Sequence, residues 1–217
     1  MENTEVKFNT AGLVNYYTQN IKELQENRRK EFAIYESLDY PTFLKTIITL
    51  AETEQARLNR KVGYKLTKNN KPVIERLYKY IHSEEGRQKN LLICGGFGSG
   101  KTLLMTAFYK FIDFYAIKSN QTRWCYFKSN TPNFTDKEKL FCIVDEMGRE
   151  ELTEKVYGNE KTPFISFLIK RYDTGIPTLA ISNLDMTELA KYYGEYIAHR
   201  IGEMFEVIVM AGDNFRK

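Results

Sequence analysis

The strongest chemical signal in the sequence is a glycine-rich run that ends in lysine and threonine, GGFGSGKT over residues 95–102. Its spacing, G-x-x-x-x-G-K-T, is that of the phosphate-binding P-loop. Glycines let the backbone curl so that several N–H groups point at phosphate oxygens, and the N-terminus of the following helix adds partial positive charge. We therefore expect nucleotide contacts from Gly95, Gly96, Phe97, Gly98, Ser99, Gly100, Lys101, Thr102 and Leu103.

Two side chains of this run have separate tasks. Lys101 can reach the β and γ phosphates of ATP, and the Thr102 hydroxyl can ligate Mg²⁺. The run lies between an apolar segment, residues 90–94, and a good helix start at residues 103–108. This strand-to-helix context is the one that a P-loop requires, and it argues against a glycine-rich turn without a ligand.

A second apolar run, residues 139–144, ends in two acids, Asp145 and Glu146. Asp145 has the Walker B position and would hold Mg²⁺, directly or through water. Glu146 would polarise the water that attacks the γ phosphate. The alternative is that both acids merely cap the loop after a strand. No Asn-Lys-x-Asp guanine-reading run follows the P-loop, which favours an ATPase over a GTPase.

Composition excludes several classes of protein. The net charge of +4, from 32 basic and 28 acidic residues, does not demand a nucleic-acid partner but allows a local basic patch. No apolar run approaches the roughly 20 residues of a membrane helix, and residues 1–5 do not resemble the start of a signal peptide. The 3 cysteines form no C-x-x-C pair, so we expect buried reduced thiols rather than a zinc site. These features favour a cytoplasmic protein with no membrane partner.

The spacing of apolar residues indicates that the chain has two parts, a helical segment and a second part with a different pattern. Residues 1–60 have helical patterning, with one stripe of Leu13, Tyr17, Ile21, Leu24 and Arg28, and Pro41 interrupts it. A second helix is predicted from Thr42 to about Lys61, with Phe43, Ile47, Leu50 and Leu58 as its stripe. These helices either pack on the rest of the protein or present a groove to a partner, and packing is favoured. Residues 61–217 form the second part.

Strand and helix signals alternate in the second part, which predicts a mostly parallel sheet between helices, the P-loop αβα sandwich. The strands are predicted near 90–94, 122–128, 139–145, 178–182 and 205–211, and the helices near 72–82, 101–118, 161–174, 185–193 and 195–203. The connection at 129–138 is short for a parallel crossover. Either it is an irregular crossover, or the strand before it pairs antiparallel or lies off the sheet.

Three further residues complete an ordered set of motifs. Asn183 follows the fourth predicted strand, Arg200 lies on a predicted helix, and Arg216 follows the last strand. With the P-loop and the two acids, this set resembles the AAA+ helicase loaders of the DnaC/DnaI type and the related IstB transposition ATPases. The resemblance covers about residues 60–217 and implies the AAA+ (ASCE-type) variant of the fold.

The resemblance also implies roles for these residues. Asn183 would be the sensor that holds the attacking water or the γ phosphate. Arg200 matches the arginine finger, which reaches the γ phosphate of a neighbouring subunit and so implies a homo-oligomer. Arg216 matches the terminal arginine that can act as a second sensor. A surface salt bridge is the alternative role for either arginine.

The chain departs from the family pattern in three places. It has Gly194-Glu195-Tyr196 where the family often has Gly-Glu-Arg, it lacks the N-terminal cysteine cluster of many loaders, and the 129–138 connection is short. The short connection puts a contact with single-stranded DNA in doubt. Trp124, Tyr126 and Phe127 remain candidates for base stacking, although alternation along a strand favours core packing for at least two of them.

The function that these observations favour is an ATP-dependent loader or remodeller of a replicative DNA helicase. The helical segment 1–60 would bind the helicase, and residues 61–217 would hydrolyse ATP to ADP and phosphate. Three alternatives stay open: a transposition helper ATPase, an ATP-switched adaptor with little turnover, and a small-molecule kinase. A kinase would need an arginine-rich lid, and no such insertion follows the Walker B strand.

Overall fold

The structure is a computed structural model that describes residues 10–59, 63–131, 134–152, 154–156, 159–161 and 163–211. The helices in these ranges are α1 (Thr10–Phe32), α2 (Tyr40–Arg57), α3 (Lys71–His82), α4 (Lys101–Lys118), α5 (Pro163–Thr174), α6 (Met186–Tyr193) and α7 (Glu195–Met204). The strands are β1 (Asn90–Cys94), β2 (Trp124–Lys128), β3 (Phe141–Met147), β4 (Glu154–Val156), β5 (Asn159–Lys161), β6 (Thr178–Ser182) and β7 (Phe205–Val209). Short 3₁₀ turns lie at Ala33–Tyr35, Glu85–Arg87 and Thr135–Lys137.

The main sheet has five strands in the order β2-β3-β6-β1-β7, and every neighbouring pair is parallel. Because parallel strands end at the same edge, the P-loop after β1, the acids at the end of β3 and the residues after β6 lie on one side of the sheet. The five predicted strands are confirmed. Sequence reasoning missed β4 and β5, which form a separate antiparallel hairpin.

Helices cover both faces of the sheet, which confirms the αβα sandwich. Alternation along β1 shows the division: Leu91 and Ile93 belong to a core shared with α2, α3 and α4, whereas Leu92 and Cys94 belong to a core shared with α5, α6 and α7. All four side chains are buried, as expected for a parallel strand with both faces covered.

The helix α2 packs into the first of these cores. Asp39 caps its N-terminus by accepting a hydrogen bond from the Thr42 N–H at 2.8 Å. Phe43 and Ile47 are fully buried. Glu54 binds Lys110 of α4, and hydrogen bonds from Arg57 and Lys110 lower the pKa of the Glu54 carboxyl to about 2. The predicted packing is therefore confirmed for α2.

Among the α1 side chains that the structure describes, the buried one is Phe32, at the C-terminal end of the helix. Phe32 is buried in the core, and Arg28 donates a hydrogen bond to the Arg87 carbonyl at 3.3 Å. Farther toward the N-terminus, Val14, Tyr17 and Ile21 are more than half exposed. The predicted helix exists, but Tyr17 and Ile21 of its predicted stripe are mostly exposed. The side chains of Leu13 and Leu24 lie outside the described set.

The short connection between β2 and β3 is an irregular crossover. The two strands are adjacent and parallel, with Trp124 opposite Phe141 and Lys128 opposite Asp145. The 3₁₀ turn at Thr135–Lys137 replaces a crossover helix. The first of the two predicted alternatives is therefore correct.

None of the helices in the described ranges is long and apolar enough to cross a membrane.

Candidate nucleotide site

The P-loop follows β1 directly and curls against the end of β7. Gly95 has a φ of +154°, and a Cβ atom there would lie 2.3 Å from the carbonyl oxygen of Met210. Only glycine fits at this position. Gly98 and Gly100 also have positive φ values, of 81° and 93°, which turn the backbone into the first turn of α4.

The Lys101 ammonium folds over this loop. It donates hydrogen bonds to the carbonyl oxygens of Gly95 at 2.5 Å and Gly96 at 2.9 Å, and to the Ser99 hydroxyl at 3.1 Å. The residue is 5% exposed. These acceptors are neutral, and a phosphate oxygen is a stronger acceptor for an ammonium group. A bound phosphate could therefore replace them.

The Asp145 carboxylate faces Thr102 from the end of β3. Its Oδ1 atom accepts from the Thr102 hydroxyl at 3.4 Å and from the Glu146 N–H at 2.8 Å, and its Oδ2 atom accepts from the Tyr126 hydroxyl at 2.8 Å. Asp145 is 2% exposed. Burial and the neighbouring Asp145 charge raise the pKa of Tyr126, so Tyr126 stays protonated and donates.

A hydroxyl facing a carboxylate fits Mg²⁺, which prefers oxygen ligands. Within the described part of the chain, no three His, Cys, Asp or Glu side chains cluster as a complete metal site.

The neighbouring Glu146 points elsewhere. Its carboxylate lies 3.1 Å from Lys128 Nζ and 3.6 Å from an Arg149 guanidinium nitrogen, and its φ is +59°. A non-glycine residue in this conformation is strained, and such strain is concentrated at functional sites. The Arg149 guanidinium also lies 5.6 Å from the Phe97 ring centre at the exposed tip of the P-loop.

Two other predicted residues lie at the same edge of the sheet. Asn183 directly follows β6, the strand between β1 and β3, and is half-buried. The Ser182 hydroxyl before it donates to the Met147 carbonyl at 2.7 Å and ties this turn to β3. The Leu103 side chain is buried in the core, so only its backbone N–H can face a phosphate.

The arginine at position 200 lies in a different environment. Its guanidinium is 3.6 Å from Asp173 on α5 and is about 5 Å from two tyrosine rings, 4.9 Å for Tyr172 and 4.8 Å for Tyr196. Its side chain is 26% exposed. In this single chain Arg200 is half-buried and forms an ion pair and two cation–π contacts. Arg216 lies outside the described residues.

Sequence reasoning missed a buried glutamate that shapes the loop after β3. Glu150 accepts hydrogen bonds from the backbone N–H groups of Gly148 and Arg149, and from the hydroxyl of Tyr193 on α6. Burial and the Glu150 charge raise the pKa of Tyr193.

Lys128 and Arg149 were also missed. Their position in the sequence could have identified them, because each lies at or near the end of β2 or β3, where the site forms.

The aromatic residues of β2 are largely core residues. Trp124 and Phe127 are buried, as alternation predicted, and Tyr126 faces Asp145.

The three cysteines are free thiols; those of Cys125 and Cys142 lie 3.2 Å apart on neighbouring strands.

The fold of this chain is similar to those of several solved structures. No protein-family model matches the chain, and no curated protein matches its sequence. Among solved structures, that of DnaI is 22% identical with a TM-score of 0.52, over 70% of this chain and 87% of the chain in that structure. The structure of the DnaC helicase loader is 19% identical with a TM-score of 0.50, over 68% of this chain and 93% of the chain in that structure.

A third solved structure is the AMPPCP-bound DnaA from Aquifex aeolicus, 14% identical with a TM-score of 0.51. It matches 70% of this chain but only 50% of the DnaA chain. Identities this low establish the fold and no more. The chain has the P-loop αβα fold that these structures share.

Proposed function

We propose that this protein is an ATPase that loads or remodels a replicative DNA helicase in the cytoplasm. The observation that carries the ATPase proposal is a contact between α4 and β3, in which the Thr102 hydroxyl lies 3.4 Å from Asp145 Oδ1. This contact lies beside the P-loop, whose first position, residue 95, only glycine can occupy. The reaction is ATP + H₂O to ADP + phosphate.

Each residue of the site has a proposed task. Lys101 and the P-loop N–H groups bind the β and γ phosphates. Thr102 and Asp145 hold Mg²⁺, which when bound neutralises phosphate charge. Glu146 takes the proton of the attacking water, and Asn183 hydrogen-bonds that water or the γ phosphate. Two arginines complete the set: Arg200 acts on the neighbouring subunit of a homo-oligomer, and Arg216 acts on the bound nucleotide.

The helicase part of the proposal rests on two supports. The solved DnaC structure, which has this fold, is that of a helicase loader, and the match covers 93% of the chain in that structure. The exposed apolar side chains of α1, Val14, Tyr17 and Ile21, recur on one helix face and offer a contact for a helical partner. Single-stranded DNA is a further candidate partner. It would have to meet residues other than Trp124 and Phe127, which are buried.

The division into a partner-binding segment, residues 1–60, and an ATPase domain, residues 61–217, remains part of the proposal. Because Phe43 and Ile47 are buried against the sheet-covering helices, removing the whole segment would open the core. Substitution of Tyr17 and Ile21 is therefore the appropriate test of partner binding, since both are exposed.

One observation favours a second candidate, an ATP-switched adaptor with little turnover. Glu146 is paired with Lys128 and Arg149, so its carboxylate is engaged by cations. An isolated chain in this arrangement would bind ATP and hydrolyse it slowly. The two candidates share the nucleotide site and differ in whether a partner releases Glu146.

The variant Glu146→Gln tests both candidates. It should bind ATP with Mg²⁺ as the wild type does and hydrolyse it about 100-fold more slowly, the scale of losing a general base. In its ATP state it should retain the replicative helicase of its host on an affinity column. The measurements are phosphate release and the recovery of helicase with ATP or ADP.

Glu151→Gln is the matched control, because Glu151 is an exposed acid in the same loop. It should leave both measurements unchanged. Wild-type turnover in Glu146→Gln would contradict the catalytic role. Slow hydrolysis by the wild type even with helicase present would favour the adaptor. Equal helicase recovery with ATP and ADP would contradict a nucleotide-controlled partner.

A further inference from the structure

Tyr126 reaches the metal-binding edge of the site from a neighbouring strand. It lies on β2 opposite Ile143 of β3, so it is diagonal to Asp145 on the same face of the sheet. Its hydroxyl donates to Asp145 Oδ2 at 2.8 Å, and its ring packs against Tyr109 of α4 with the ring centres 5.7 Å apart. The tyrosine is thus fixed at both ends.

Because of this hydrogen bond, the two oxygens of the Asp145 carboxylate have different partners. Oδ2 accepts from Tyr126, whereas Oδ1 accepts from the Glu146 N–H at 2.8 Å and faces the Thr102 hydroxyl at 3.4 Å. The Glu146 N–H holds Oδ1 alone, and the added bond from Tyr126 to Oδ2 prevents the carboxylate from rotating freely about its terminal bond. The oxygen that faces Thr102 is therefore kept in place before any ligand arrives.

We propose that Tyr126 is a positioning residue for the Mg²⁺–nucleotide site: its hydroxyl orients Asp145 so that Oδ1 is presented toward Thr102. This inference rests on the proposed function, because it assumes that Thr102 and Asp145 hold Mg²⁺ with ATP. Outer partners of metal ligands commonly control metal affinity in this way.

A purely structural role for Tyr126 predicts a different result. If the residue only joined β2 to β3, removing its hydroxyl would lower stability and weaken nucleotide binding equally with and without Mg²⁺. A positioning role instead affects only the Mg²⁺-dependent part of binding. The two roles are separated by titrating Mg²⁺ while nucleotide binding is measured.

The experiment uses the full chain and the variant Tyr126→Phe, which removes one hydroxyl and keeps the ring. Binding of a fluorescent ATP analogue is measured in EDTA and across a MgCl₂ titration. In EDTA the variant should bind within about twofold of the wild type. The Mg²⁺ concentration that gives half of the tightening should rise about tenfold, the lower end of the effect of outer partners on metal affinity.

Tyr109→Phe is the matched control. Tyr109 belongs to the same ring pair, but its hydroxyl interacts with Asp113 rather than with Asp145. It should leave the Mg²⁺ titration unchanged.

Three results would overturn the positioning role while leaving the proposed function intact: an unchanged Mg²⁺ titration in Tyr126→Phe, equal weakening in EDTA and in MgCl₂, or the same shift in Tyr109→Phe. A wild type that binds no ATP analogue would overturn the proposed function and the positioning role together.

Discussion

Asp145 and Glu146 are neighbours in the chain, but they lie in two regions of the site with opposite physical character. Asp145 is 2% exposed and is held by the Thr102 and Tyr126 hydroxyls and one backbone N–H. Glu146 has a side chain that is 27% exposed, has a strained backbone, and is held by two cations, Lys128 and Arg149. We refer to these as the buried side and the exposed side of the site.

The difference has consequences for control. Interactions in a buried, low-dielectric environment are strong and insensitive to salt, whereas ion pairs at an exposed position are weak and screened. The buried side is therefore set by the fold of a single chain. The exposed side can be rearranged by another subunit, by a partner or by added charge. Two predictions test this contrast, and a third concerns Arg200, which lies apart from both sides; they follow in order of expected effect.

The largest effect should come from Lys101→Ala on the buried side. The ammonium would form charge-assisted hydrogen bonds to two phosphates, and two such bonds at about 1.5 kcal/mol each correspond to roughly 100-fold in affinity. Equilibrium binding of a fluorescent ATP analogue measures this loss. Lys118→Ala, at the exposed end of the same helix, should bind normally. Unchanged affinity in Lys101→Ala would remove the P-loop assignment.

A smaller effect is expected at Arg200, which belongs to neither side within one chain. If it acts on a neighbouring subunit, specific activity should rise with protein concentration, and Arg200→Ala should lower the assembled rate about tenfold. This is well below the roughly 10³–10⁵ of the best arginine fingers, because the proposed loader function does not need fast turnover. ATP affinity should stay unchanged, and phosphate release against protein concentration is the measurement.

Mixing variants gives a sharper version of this test. Arg200→Ala and Lys101→Ala chains each lack what the other has, so mixed interfaces should recover part of the activity. His199→Ala is the matched control, since its side chain is exposed on the same helix. Activity independent of concentration, with no recovery in the mixture, would reduce Arg200 to the partner of Asp173 and its two tyrosines.

The contrast between the two sides also explains what sequence reasoning could reach. The P-loop, the five parallel strands and the two acids are local patterns, in which residue type, spacing and flanking elements agree. Their meeting at one edge follows from parallel topology alone. The sequence therefore predicted the αβα fold and brought Thr102 and Asp145 to one edge of the sheet, where the structure has them, but it did not predict the contact of Tyr126 with Asp145.

Side-chain partners that depend on strand order were harder to predict. Tyr126 and Lys128 reach the acids only because β2 is paired with β3 in one register, and the irregular 129–138 connection left that pairing open. Glu150 is buried through contacts with α6, more than 40 residues away. A surface acid and a buried acid look alike in one sequence, since burial is a property of the packed fold.

The smallest effect, and the closest test of the exposed side, is Lys128→Ala. Its ammonium lies 3.1 Å from Glu146, and the two side chains are 56% and 27% exposed. An ion pair this open contributes at most about 1 kcal/mol, so its loss can raise the population of released Glu146 by no more than about fivefold. Basal hydrolysis by the isolated chain should therefore rise about threefold, with ATP affinity unchanged.

Salt provides an independent check of the same argument. Raising the ionic strength screens the Lys128–Glu146 pair, so it should stimulate the wild type and have less effect on Lys128→Ala. Lys139→Ala is the control, because Lys139 is an exposed lysine just before β3. If Lys128→Ala instead lowered hydrolysis, the lysine would be assisting Glu146 rather than restraining it. The exposed side would then already be arranged for catalysis, and the two sides would differ only in how exposed their side chains are.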